Sequence, residues 1–228
     1  MKITILGTGT VGQTVAAKLR QLGYEVNLGT RNPEETSART ENNPMTGQSF
    51  VEWHKQYPEV KLKKNADAVK GADLIVNATQ GGASISVLSA IGNYQLRGKV
   101  LLDLANPLDF SKGMPPTLSV CNTHSLAEQI QEKFPDLKVV KALNTMSASI
   151  MVNPSSINGV HTVFVSGNDA EAKKSVIDLL KSMGWDKKDI IDLGDISTAR
   201  GTEMLLPVWL RLWGTLGHVN FNFHIQRN

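Results

Sequence analysis

The sequence predicts the α/β class: a doubly wound, mainly parallel sheet with helices on both faces and a small C-terminal helical extension. Two observations carry this expectation. Short β-branched or apolar runs alternate with segments of helical periodicity along most of the 228 residues, the rhythm of strand–helix–strand units joined by right-handed crossovers. Several of these runs are almost continuously apolar, as strands covered on both faces must be.

The expected strands are Lys2–Leu6, Glu25–Leu28, Leu74–Ala78, Val100–Leu104, Val139–Leu143, Thr162–Val165 and Ile190–Leu193, with a weaker one at Val60–Leu62. Between the first two, Val11, Val15, Leu19 and Leu22 recur at helical spacing, and Gly23 is placed to end the helix. Ala170–Met183 predicts a second clear helix, closed by Gly184. Arg39–Tyr57 is the least regular segment: it is polar, holds Pro44 and Gly47, and then gives Phe50, Trp53 and Tyr57. It reads as an insertion between βα units with one short helix. Ser197–Gly217 is richly apolar and reads as one buried or interface helix after the sheet. Residues 194–228 are all that follow the last strand here, too few for a large helical domain. The expected division is a nucleotide-binding part over residues 1–150 and a smaller βα part with the apolar helix over residues 151–228, packed on the first.

Composition excludes several classes. With 41% hydrophobic and 20% charged residues and a net charge of +3, the chain is ordinary for a globular protein. Its Lys and Arg are scattered, which argues against a nucleic-acid partner. Cys121 is the one cysteine, so no intramolecular disulfide or Cys-rich metal cage is expected. His54, His124, His161, His218 and His224 show no metal-ligand spacing, and no metal is expected. Met204–Leu210 is interrupted by Pro207, followed by Arg211, and too short to span a bilayer. The N-terminus lacks a signal peptide's long apolar region. These features predict a cytoplasmic protein without a membrane segment. Hydrolase, zinc-protease, P-loop and EF-hand signatures are missing. Asn77-Ala78-Thr79 matches a glycosylation sequon but falls in an expected buried strand.

The chemistry is concentrated at Gly7-Thr8-Gly9-Thr10-Val11-Gly12, between the first strand and first helix. Each glycine has its own reason in a dinucleotide-binding turn. Gly7 permits the tight turn, Gly9 lets backbone approach a pyrophosphate, and Gly12 allows close helix–strand packing. The helix N-terminus then offers free N–H groups and a positive dipole end to phosphate. The pattern identifies a Rossmann-type site. Its choice of nucleotide is made at the end of the second strand, where NAD sites place an acid for the ribose 2′-hydroxyl. This chain has Thr30, Arg31 and Asn32 there instead, with Thr30 eighteen positions after Gly12. Arg31 can pair bidentately with a 2′-phosphate, and Thr30 and Asn32 can donate further hydrogen bonds. NADP(H) is the expected cofactor. Other strands end in Thr79-Gln80-Gly81-Gly82, Asn106-Pro107 and Asn144-Thr145-Met146. In an open α/β sheet these ends face the ligand crevice, although the same residue types also suit ordinary turns.

On the run Ile3-Thr4-Ile5-Leu6-Gly7-Thr8-Gly9-Thr10-Val11-Gly12, on Leu28-Gly29-Thr30-Arg31 and on Val140-Lys141-Ala142-Leu143-Asn144-Thr145, the chain resembles the F420-dependent NADP oxidoreductase family. It is also similar to the cytosolic NADPH-binding domain of transmembrane ferric reductases. The resemblance implies a doubly wound domain that passes hydride between NADP(H) and a deazaflavin (F420) or flavin. It places Thr8 to Val11 at the pyrophosphate, Thr30 and Arg31 at the 2′-phosphate, and Thr79 and the surroundings of Asn144 beside the nicotinamide. Where some members carry a further basic residue after the arginine, this sequence has Glu34 and Glu35.

The leading expectation is therefore hydride transfer to a small-molecule acceptor of flavin or deazaflavin type, with Met146, Pro207 and Trp209 as candidates to line the acceptor pocket. Two such cofactors need little acid–base help once their rings are held in contact. A second reading is reduction of a small imine or carbonyl, with His124, Thr145 or Ser147 as proton donor. A third is a non-catalytic NADP-sensing module. The apolar C-terminal helix suggests a homodimer.

Overall fold

The computed structural model describes residues 1–227. The chain opens with β1 (Lys2–Leu6), α1 (Thr10–Gln21), β2 (Glu25–Thr30), α2 (Pro33–Ser37) and α3 (Phe50–Gln56). It continues through β3 (Lys61–Lys64), α4 (Asn65–Ala68), β4 (Leu74–Asn77), α5 (Gly81–Ile91), α6 (Asn93–Leu96) and β5 (Val100–Asp103). A two-residue hairpin, β6 (Leu108–Asp109) and β7 (Thr117–Leu118), precedes α7 (Leu126–Lys133), β8 (Lys138–Ala142) and α8 (Ala148–Val152). The last elements are β9 (Val163–Gly167), α9 (Ala170–Ser182), β10 (Ile190–Gly194), α10 (Ala199–Met204) and α11 (Leu206–Leu216).

Eight strands form one sheet in the order β10-β9-β8-β5-β4-β1-β2-β3. Residues 1–150 supply six of them, and residues 151–228 add β9 and β10 to the same sheet before the C-terminal helices. The alternation of side chains along each strand divides the core into two layers. Ile3, Ile5, Val26, Leu28, Val76, Leu102 and Val140 point to the side covered by α1, α3, α8 and α9. Leu6, Ile75, Leu101 and Val139 point to the other, against Leu88, Ile91, Ile130 and Phe134 of the second helical layer. Burial on both faces explains why these strands read as unbroken apolar runs.

The parallel rule breaks at one place. β9 runs antiparallel to β8, with Ala142 opposite Val165 and Val140 opposite Gly167. β9 therefore begins beside the end of β8. The connection between them holds only the five-residue α8 and one 3₁₀ turn, without the long covering helix that returns a chain to the other end of the sheet. β10 then pairs parallel with β9 through the full crossover helix α9. Asp169 caps α9 by accepting from Ala172 N–H.

Local chemistry refines other expectations. On α1 the buried stripe is Gly12, Gln13, Val15, Ala16 and Leu19, while Leu22 lies outside it and is exposed. The insertion does contain one short helix, α3, started by a capping box between Ser49 and Glu52 and anchored by buried Phe50 and Trp53. The weak strand at Val60–Leu62 is β3, one residue further on and at the sheet edge. The single helix expected over Ser197–Gly217 is a 3₁₀ turn followed by two helices that meet at Leu205. Pro207 lacks an N–H and clashes in a helix interior but fits a first turn, so α11 restarts there and closes at Gly217 in the left-handed region. Among the described residues no helix is long and apolar enough to cross a membrane, and no His/Cys/Asp/Glu group is arranged to hold a metal.

A buried charge cluster ties the C-terminal segment to the sheet. Lys141 Nζ on β8 lies 2.8 Å from Asp103 Oδ2 and 2.8 Å from Glu203 Oε1, with all three side chains essentially inaccessible. Its third donor goes to the Ala105 carbonyl. Glu203, on α10, also accepts the N–H groups of Leu126 and Ala127 at 2.8 and 3.2 Å, capping α7 from outside. Burial opposes the charge on Lys141, but the two carboxylates overturn it and raise the ammonium pKa. Nearby, Arg200 grips Glu128 with contacts of 2.5–3.0 Å. Burial alone would lift the Glu128 carboxyl, yet Arg200 and Ser125 hold it below the usual range.

Lys141→Met strands two buried carboxylates and is expected to lower stability by about 3–5 kcal/mol, the usual effect of breaking a buried pair, measured as a fall in Tm. Because its pKa is raised, the lysine's contribution in the natural protein is fully present below the ordinary lysine range and is lost only as pH rises through the raised value. Alkaline titration of Tm reads this out: the difference between the two proteins should persist through neutral pH and shrink only in strong alkali.

Candidate functional site

The sheet order reverses between β1 and β4: the chain leaves β1 outward to β2 and β3, then crosses back to β4. A crevice opens outside the carboxyl ends of the strands at such a switch point. Here it is a cleft of about 840 Å³ bordered by the β1–α1 turn, the end of β2 and the β4–α5 turn.

The turn is built by backbone crowding. Gly7 sits at φ +111°, and a Cβ there would meet the Ala78 carbonyl oxygen at 2.4 Å. A Cβ on Gly12 would lie 2.1 Å from the Gly7 carbonyl oxygen, so only glycine lets α1 start this close to β1. Gly9 is different, since a Cβ there meets nothing within 4 Å. It lines the cleft and is the N-cap of α1, with no side chain capping the helix and no acid in its first turn. Gln80 stands at the N-cap position of α5 likewise without a side-chain hydrogen bond to the helix, and Gly81 admits the Asn106 carbonyl against that helix start. Two helix N-termini therefore present unsatisfied N–H groups and positive dipole ends around the cleft.

Of the residues singled out from the sequence, Gly7, Thr8, Gly9, Thr30, Arg31, Asn32, Thr79 and Gln80 line this cleft together. Thr10, Val11 and Gly12 stand just behind, in the first turn of α1. Asn106 and Asn144 are not in its lining but pair with each other: Asn106 Nδ2 donates to the Asn144 carbonyl at 2.8 Å, and Asn144 Nδ2 to Asn106 Oδ1 at 3.0 Å. Two of these side chains already have protein partners. Thr30 Oγ1 lies 2.8 Å from Thr36 Oγ1, and Asn32 Oδ1 caps α2 by accepting from Glu34 and Glu35 N–H. Arg31 is exposed, lines the cleft and has no hydrogen-bond or ion-pair partner among the described residues, so its guanidinium can meet a ligand.

Arg39 escaped the sequence reading. It comes from the irregular insertion, stacks 5.1 Å from the Phe50 ring centroid, and donates to Thr8 Oγ1 at 2.6 Å and the Thr8 carbonyl at 3.3 Å. Asn43 fastens the same segment to Thr10 Oγ1 at 2.6 Å. Two guanidinium groups thus face the cleft, together with the carboxylates of Glu35 and Glu41 on its rim. No periodicity marks such residues in a loop. Their partnership with the glycine turn exists only once Phe50 and Trp53 are buried.

The residues considered as proton donors lie elsewhere. His124 sits 3.6 and 3.3 Å from Glu128 and Glu132 beside α7. Thr145 is buried at 2% exposure, and Ser147 contacts Ser149 at 3.1 Å. None of the three borders the cleft. Of the candidate acceptor-pocket residues, Met146 is core, Pro207 is exposed, and Trp209 packs on Trp213 and Phe221 in an apolar cluster with Leu206, Leu210 and Leu108.

The fold and the cleft define a dinucleotide-binding α/β domain of the Rossmann type. Comparison with known proteins makes the class specific. The family described as NADP oxidoreductase, coenzyme F420-dependent, matches residues 2–107. A crystal structure of a candidate F420-dependent NADP reductase from Arthrobacter sp. FB24 is 59% identical, covers 100% of both chains and superposes with a TM-score of 0.93. The F420-dependent NADP reductase of Methanocaldococcus jannaschii is 28% identical over 93% of this chain and 92% of its own. Metalloreductase STEAP3 of Rattus norvegicus is 29% identical over 91% of this chain, which spans only 38% of that protein's length. An imine reductase from Myxococcus stipitatus, at 17% identity and a TM-score of 0.61, shares the fold. The chain belongs to the F420-dependent NADP oxidoreductase family, and with it to the NADP-dependent oxidoreductases.

The two glycines of the turn should respond oppositely to a methyl group. Gly12→Ala forces backbone apart and is expected to destabilise the fold by about 2 kcal/mol or more. Gly9→Ala meets open space at an ordinary backbone conformation, φ −84° and ψ −170°, and should leave Tm within about 2 °C of the natural protein. Thermal unfolding of the pair checks both.

Proposed function

We propose that the chain holds NADP(H) in the cleft at the ends of β1, β2 and β4 and exchanges hydride with a flavin- or deazaflavin-type acceptor such as F420. The observation that carries the cofactor reading is the conjunction of an uncapped glycine turn with Arg31 at the end of β2. The cradle fits the group physically: Gly9 leaves room where a pyrophosphate would approach, and the first N–H groups of α1 await acceptors. Thr8 to Gly12 would hold the pyrophosphate. Thr30, Arg31 and Asn32 would hold the 2′-phosphate, with Arg31 supplying the charge and bidentate geometry. Thr79 and Gln80, with the Asn106–Asn144 pair, would face the ribose and nicotinamide of the dinucleotide's other half.

NADPH supplies a hydride when bound. The protein's part is to bind and orient it and to keep a ring-shaped acceptor in contact, which is where most of the rate enhancement of such a transfer arises. His124 lies away from the cleft, against Glu128 and Glu132 beside α7, which supports an acceptor that needs no protein proton over an imine or carbonyl. The family names of the M. jannaschii and Arthrobacter relatives support F420 as that acceptor. We place the protein in the cytoplasm, as a homodimer contacting through α11, where Val208 and Leu216 are exposed.

The deciding experiment is NADPH oxidation by the purified protein with F420, FMN and riboflavin in turn. Turnover with one of them is the expected result. Tight NADPH binding without turnover on any of the three would replace this reading with a non-catalytic NADP-responsive module. Arg31→Ala should weaken NADPH about 10- to 100-fold while changing NADH less than threefold, the loss expected of one charge-assisted bidentate contact. Gly9→Ala should weaken NADPH and NADH alike by about tenfold or more, because the pyrophosphate is common to both. Titration of each variant with the two nucleotides measures the split.

A further inference from the structure

Thr79, on the border of the cleft, is the outer end of a hydrogen-bond chain that begins at the buried charge cluster. Asp103 receives Lys141 Nζ on Oδ2 at 2.8 Å, and on Oδ1 it receives Asn77 Nδ2 at 2.7 Å and Ala105 N–H at 3.2 Å. A carboxylate paired in this way offers only acceptors. It therefore orients the Asn77 amide, fully buried, with its NH₂ turned inward. The amide oxygen then faces outward and accepts the Thr79 backbone N–H at 3.3 Å and the Thr79 hydroxyl at 2.7 Å. The opposite amide orientation would set oxygen against carboxylate and NH₂ against N–H. Ser84 Oγ accepts from Asn77 Nδ2 at 3.0 Å and lies 2.9 Å from Thr79 Oγ1. Its own hydrogen is left to point at Thr79 or at the Gln80 carbonyl, 3.4 Å away. The one hydrogen of the Thr79 hydroxyl goes to Asn77 Oδ1 at 2.7 Å or to Ser84 Oγ at 2.9 Å, so a protein acceptor takes it either way. What remains for a ligand is an acceptor lone pair.

We propose that this chain makes Thr79 a fixed hydrogen-bond acceptor for a proton-bearing group of the bound dinucleotide, a ribose hydroxyl or the carboxamide NH₂. The inference rests on the reading of the cleft as the NADP(H) site. Thr79 touches the ligand, whereas Asn77, Asp103 and Lys141 are positioning residues that act through it. The same polarity stops Thr79 from giving a proton to a substrate, which agrees with hydride transfer between two rings.

The test is calorimetric titration of NADP⁺ and of its 3-acetylpyridine analogue, in which a methyl replaces the carboxamide amino group. The natural protein, Thr79→Val and Thr79→Ser are compared. Thr79→Val should weaken NADP⁺ about tenfold, and Thr79→Ser should restore it to within about threefold, as loss and recovery of one acceptor predict. If the donor is the carboxamide, the natural protein prefers NADP⁺ over the analogue and Thr79→Val loses that preference. If it is a ribose hydroxyl, Thr79→Val weakens both nucleotides equally. Asp103→Asn frees the Asn77 amide to turn. It should weaken NADP⁺ in the natural background yet add nothing in the Thr79→Val background. Asn77→Ala takes its place in that cycle if the Asp103 variant does not fold. Thr79→Val binding as tightly as the natural protein overturns the proposal, and so do losses that simply add. A natural protein that fails to bind NADP⁺ at all overturns the reading of the cleft instead.

Discussion

The contact on which most of this structure depends is the ammonium of Lys141 between Asp103 and Glu203. It lies where β5 and β8 run side by side, beneath the carboxyl ends of the strands. Two carboxylates and one ammonium at such depth would be costly to bury unaided. The excess negative charge is met by the N-terminus of α7, whose Leu126 and Ala127 N–H groups donate to Glu203. One cluster thereby joins two central strands, the start of α7 and the C-terminal helix α10. Through Asp103 and Asn77 it also reaches Thr79 at the cleft.

The cleft shows a second balance of charge. Its floor is positive by construction, because α1 and α5 both begin there without a side-chain cap. Arg31 and Arg39 extend that field along the rim, while Glu35 and Glu41 limit it. A long anionic ligand with charge at both the middle and one end suits such a surface better than a compact one. Arg39 is exposed but is held by Thr8 and by the face of Phe50, so its charge is positioned over the turn. The polar insertion thus contributes to the site even though its backbone is the least regular in the chain.

Much of the fold was legible because burial on both sheet faces leaves a strong mark on sequence. Seven strands announced themselves as apolar runs, and α1 and α9 as helical stripes. Boundaries moved by a residue or two, as at β9, where Thr162–Val165 became Val163–Gly167. The break at Leu205 was signalled by Pro207, but the apolar stretch around it read as continuous. The antiparallel turn of β9 left no mark, since strand direction is set by the length and placement of a connection and not by the residues of the strand. Lys141 and Asp103 each lie inside an apolar strand run, Val139–Leu143 and Val100–Leu104. Their meeting with each other and with Glu203 was not legible, because the residues lie 38 and 62 positions from Lys141.

The sequence by itself determined the α/β class, the glycine turn and the arginine at the end of β2, since each depends on local sterics or on a short fixed spacing. Gly7 and Gly12 are required by backbone contacts formed within and beside one turn, and a one-residue side chain cannot hide that need. Tertiary structure alone decided that Arg39 joins Thr8, Arg31 and Thr79 at one cleft and that Asn106 and Asn144 bind each other outside its lining. It also decided which way the Thr79 hydroxyl points. Those outcomes depend on side chains brought together across the sheet, where direction and distance are set by packing that no local pattern encodes.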